Sequence, residues 1–68
     1  MILIQVRSSA IHSIGYDGYT LAVRFHSSET IYEHEGVPAH LFARFMLAGS
    51  KGTFYAVHIR GKYQKAFV

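Results

Sequence analysis

The chain has no cysteine, no tryptophan, a single proline and only four acidic residues among 68. Each shortage closes a route. Without cysteine, disulfides and thiolate zinc sites are ruled out, and these are common staples of small domains. Long apolar runs are missing too: nothing approaches the roughly 18 apolar residues of a membrane span. The opening MILIQVRSS has no charged n-region, and its apolar run is too short for a signal peptide. These absences read as a soluble, cytoplasmic protein with no membrane partner.

What is present must therefore hold one thin core. A chain of this length forms a single domain, residues 1–68, and buries only about 60% of its unfolded surface. Five tyrosines and five phenylalanines fill the gap, since each buried ring removes roughly 150–250 Å² from water. Self-association would add to this and stays open.

Charge is unevenly placed. Up to Pro38, Arg7 and Arg24 face Asp17, Glu29, Glu33 and Glu35, a net of −2. From Ala39 onward Arg44, Lys51, Arg60, Lys62 and Lys65 stand without an acid, a net of +5. One positive face is a cue for phosphate-bearing partners. Charge asymmetry for solubility is the plainer alternative.

The periodicity changes in the same region. Ile2, Ile4 and Val6 alternate as a short strand. Residues 11–16 read as a second strand with mixed faces, ended by Asp17-Gly18, a type I′ hairpin signal. Tyr19, Leu21, Val23 and Phe25 share one strand face, with Thr20, Ala22 and Arg24 on the other. In residues 30–35 the glutamates occupy one face, which turns Tyr32 and His34 toward the core. Gly36-Val37-Pro38 then breaks direction, with the proline suited to a first helical turn. Leu41, Phe42, Phe45 and Ala48 recur at helical spacing. Gly49 reads as the stop and Ser50 as a new N-cap. Residues 51–60 have a strand-like composition, yet Ser50 and Gly61 bracket a helix, and the helix is preferred. The tail, 62–68, reads as irregular. The expected fold is α+β: an antiparallel sheet of three or four strands packed on one face by two short C-terminal helices.

No catalytic constellation emerges. Five histidines invite a metal, but none are spaced to converge, and no metal or cofactor is assigned. The serines suit turns and caps. An acid–base scheme for RNA cleavage from His34, a second histidine and Lys62 is the weakest of the functional readings. The stronger pattern is Lys51, Arg60, Lys62 and Tyr63, with Tyr32 and His34 beside them. Bases stack on aromatic faces while cations neutralise phosphates. Tyr55 fits the same pattern but reads better as core.

At these residues the chain resembles the KTSC domain, a family named for the C-terminus of some lysyl-tRNA synthetases. The likeness runs from Val6 to Tyr63. It rests on Ser8-Ser9, Ile14-Gly15-Tyr16-Asp17, Leu21-x-Val23-x-Phe25 and Tyr32-x-His34-x-Gly36-Val37-Pro38. It continues through Ala48, Ser50, Gly52, Phe54-Tyr55 and Ile59-Arg60-Gly61-Lys62-Tyr63. The sequence departs from the family pattern at His34, Ala56 and Gln64, where tyrosine, asparagine and proline are usual. The resemblance implies association with RNA. The expectation is a module for RNA or single-stranded nucleic acid acting through Lys51, Arg60, Lys62, Tyr63, Tyr32 and His34. A non-catalytic protein-interaction domain is the alternative.

Overall fold

The structure, a computed structural model, describes residues 1–67. Its elements in chain order are β1 (Ile4–Gln5), β2 (Ile11–Tyr16), β3 (Leu21–Phe25), β4 (Ile31–Glu35), α1 (Ala39–Leu47), α2 (Lys51–His58) and β5 (Gln64–Phe67). The strands form one antiparallel sheet in the order β1-β2-β3-β4-β5. The α+β class and the helix pair on one face are as expected. The strand count is not: the sheet has five strands rather than three or four. The tail expected to be irregular is β5, paired with β4 from Glu35↔Gln64 to Tyr32↔Phe67. Without it β4 would present a row of unpaired backbone donors and acceptors.

The mixed faces of β2 have a physical cause. Its pairing with β3 slips between Ile11 and Ser13. This bulge changes the phase of the strand, so Ile11 and then Ile14 both reach the core. Tyr16 follows on the same face and stacks on Phe42 of α1, with ring centroids 4.3 Å apart. Gly15 faces the other way. A Cβ there would lie 2.8 Å from the Ile2 carbonyl oxygen, so the N-terminal residues cross the outer face of the sheet against bare backbone.

The β2–β3 connection also differs from the expected two-residue turn. Tyr16 pairs with Leu21, leaving a loop of residues 17–20. Only Gly18 takes a positive φ, at 98°, whereas a type I′ turn needs two such residues. Asp17 works through its side chain instead. Its Oδ1 accepts from the backbone N–H of Tyr19 (2.9 Å) and of Thr20 (2.7 Å). These bonds hold its carboxyl below the usual carboxylate range.

The turn after β4 is pinned to that loop. Val37 donates its N–H to the Tyr19 carbonyl (3.0 Å), and its own carbonyl accepts from the Tyr16 hydroxyl (2.6 Å). Gly36, at φ 79°, makes the bend. Pro38 is the N-cap of α1 rather than part of its first turn, and its carbonyl accepts from Leu41 and Phe42. Gly49 follows the C-cap Ala48 (φ −65°, ψ 137°) and so holds the C′ position expected of it, but without the positive φ of a left-handed stop. Ser50 caps α2 through Thr53, as its sequence position predicts. Residues 51–58 are helical, which resolves the helix-or-strand ambiguity. Leu41 and Phe45 of α1, Tyr55 of α2 and Ile59 just beyond pack on Ile11, Ile14, Leu21 and Val23 of the sheet.

Candidate nucleic-acid interface

The site is built where α2 ends and β5 joins the sheet. Strand alternation puts Tyr32 and His34 on the core face of β4, opposite Val23 and Leu21 of β3. Glu33 and Glu35 fall on the other face, across from Ala66 and Gln64. The acids of β4 are thereby kept from the aromatic side. Past α2, Arg60 donates its N–H to the Tyr55 carbonyl (2.8 Å) and Gly61 turns at φ 78°. That turn leaves Arg60 and Lys62 exposed and brings Tyr63, half-buried against the core, into position before β5. Lys65 follows on β5, opposite His34. Its ammonium lies 5.4 Å from the centre of the Tyr32 ring, within cation–π range.

His34 is fully buried. Its Nε2 is 2.7 Å from the Tyr55 hydroxyl, and the rings meet edge to face. The other ring nitrogen, Nδ1, is buried without a hydrogen-bond partner. The Tyr63 backbone lies close enough to favour a charged ring, but short of hydrogen-bond geometry. Burial dominates and holds His34 below the ordinary imidazole range, with Lys65 pushing the same way. Burial also raises Tyr55, against the opposing effect of Arg60. Both groups are neutral near pH 7, an arrangement a low-dielectric core favours.

Four of the six residues expected to form the surface therefore gather in one region: Tyr32, Arg60, Lys62 and Tyr63. His34 is in that region but faces inward, because it completes the core beneath the surface. Lys51 is elsewhere. Its Nζ donates to the Ala48 carbonyl (3.3 Å) at the start of α2. Arg60 lies beyond the opposite end of this helix, about 12 Å away at 1.5 Å per residue. Lys65 takes its place. It escaped sequence reading because the tail gave no clear strand signal, although Tyr63, Lys65 and Phe67 do alternate with Gln64 and Ala66.

The other histidines are dispersed. His12 and His26 stand edge to face with centroids 5.4 Å apart. Carbonyls only accept, so His26 Nε2 donates to the Ser8 oxygen, 2.9 Å away. His58 tilts over Phe54. Among the described residues no three metal-ligating side chains converge, and no pocket is present. His34, with which the cleavage scheme begins, is buried.

A five-stranded meander whose last strand returns beside the fourth, with a helix pair on one face, defines a small two-layer α+β domain. The chain belongs to the KTSC domain family, whose model matches residues 7–63. It is similar to a KTSC domain protein from Yersinia pestis. That crystal structure superposes with a TM-score of 0.91 at 36% sequence identity, covering 98% of this chain and 96% of that one. No curated protein matches.

Proposed function

We propose that this KTSC domain is a binding module for RNA or another single-stranded nucleic acid. Arg60, Lys62 and Lys65 contact phosphates, and Tyr63, with Tyr32 at the edge, offers ring faces to bases. One observation carries the reading: three cations within six residues flank Tyr63, while sheet alternation turns Glu33 and Glu35 to the opposite face. The arrangement suits a flexible strand better than a small substrate, since single-stranded nucleic acid needs a charged track with stacking platforms rather than a concave pocket. Arg60 has the larger role of the two turn cations, because its planar guanidinium stacks as well as neutralises.

A protein partner is the second reading, favoured by Leu47 and Val57, which are 87% and 54% exposed. Salt separates the two. Labelled RNA and DNA oligonucleotides are titrated with the protein at two salt concentrations. Contact with three phosphates gives a log–log slope of about −2, at roughly −0.7 per phosphate on a single strand. Binding that is absent, or that ignores salt, rules out the nucleic-acid reading.

A further inference from the structure

We propose that His34 is a proton-sensitive latch for the C-terminal strand: taking up a proton releases β5 and the turn that carries Tyr63 from the edge of β4. This inference does not depend on what the surface binds.

The geometry places one titratable ring under the joint between three elements. His34 is 0% exposed. From α2, Tyr55 meets it at Nε2, 2.7 Å away. From β5, Lys65 is its register partner. On its own strand, Tyr32 shares its face two residues before, and on β3 its neighbour is the apolar Leu21. The turn after α2 contributes the Tyr63 backbone near the ring, and Arg60 acts on Tyr55. No carboxylate among the described residues faces it, since Glu33 and Glu35 lie on the other side of the sheet.

Burial favours the neutral form of this ring. Nε2 then accepts from the Tyr55 hydroxyl, which leaves the ring proton on Nδ1, facing the Tyr63 backbone without a bonded partner. Adding a proton makes both nitrogens donors. Tyr55 can still accept at Nε2, but its own hydroxyl hydrogen must find a new partner. The new charge is buried and sits opposite Lys65. The nearby Tyr63 backbone offsets this only in part, because burial outweighs it. β5 is the edge strand beside β4, so opening there moves only β5 and the residue 59–63 turn, while the β2–β3 pair can stay closed.

Burial lowers the pKa of His34 in the closed state, so opening is linked to proton uptake and favoured as pH falls below the ordinary imidazole value of about 6.5. One proton sets the limit of the linkage. The opening constant rises by at most about tenfold per pH unit.

Amide hydrogen exchange of the whole chain from pH 5 to 8, corrected for intrinsic rates, reads this directly. Below pH 6.5 the β4–β5 amides should open progressively more, approaching tenfold per pH unit, while β2–β3 amides hold constant. His34→Gln keeps an acceptor toward Tyr55 but does not titrate, and should abolish the slope. An unchanged slope in that variant, or β2–β3 amides opening in parallel, overturns the proposal. Should the variant fail to fold, the His34 ring resonances of the unmodified chain decide. A ring that takes up its proton while β4–β5 protection is retained overturns the latch, and coincident titration and opening support it.

Discussion

Phe45 is the side chain on which helices and sheet converge. It is fully buried and stacks on Phe54 with centroids 5.6 Å apart. Phe45→Ala should cost about 3–5 kcal/mol, read as a lower urea midpoint, and an unchanged midpoint would contradict its place in the core. Its burial was legible because Leu41 and Phe45 recur at helical spacing. The inward turn of His34 was legible as well, from the glutamates that alternate with it. Its bond to Tyr55 was not, because that depends on how α2 docks and leaves no local trace. Asp17 shows the same limit: its turn was visible, its two backbone hydrogen bonds were not. Its folded pKa is depressed, so the stability it contributes is present above the unfolded value of about 3.8 and lost as pH falls through the folded value. Asp17→Ala should therefore lower Tm at pH 7, with the difference from the unmodified chain shrinking as pH falls below about 3.8. An equal Tm at pH 7 would count against the turn as described.

At the scale of elements, local signals located both helices and the first four strands but missed β5, the edge strand at the C-terminal end. β2 alternates imperfectly because a bulge shifts its phase, and a bulge has no fixed residue signature. β5 carries a lysine and a glutamine in four residues, weak strand formers whose conformation is imposed by the open edge of β4. The other edge yields a test. The N-terminal residues cross Gly15 so closely that an added methyl group would meet the Ile2 carbonyl at 2.8 Å. Gly15→Ala should displace that segment and cost about 1–3 kcal/mol, with faster proteolysis near Met1–Leu3. Unaltered stability and cleavage would mean that the contact is dispensable.

For the molecule as a whole, the separation of charge was written in the sequence, and the fold converts it into geometry. The acids of β4 take one face of the sheet, and the cations after α2 collect at its far edge. Sequence distance misled only for Lys51, since a helix places its ends apart however similar their charge. No helix among the described residues is long and apolar enough to cross a membrane. Arg7 is exposed near the opposite edge, which makes it a charge-matched control. Arg24 suits this purpose less well, because its Nε donates to the Ser28 carbonyl at 3.4 Å. The decisive measurement is the affinity for a labelled single-stranded RNA, at fixed low salt, of Arg60→Ala, Lys62→Ala, Lys65→Ala and Arg7→Ala. The three substitutions at the α2–β5 corner should each weaken binding and reduce the salt slope by about 0.7, with Tm nearly unchanged for Arg60→Ala and Lys62→Ala, while Arg7→Ala leaves binding close to that of the unmodified chain. Equal loss from all four would reduce the surface to diffuse positive charge and contradict the assignment.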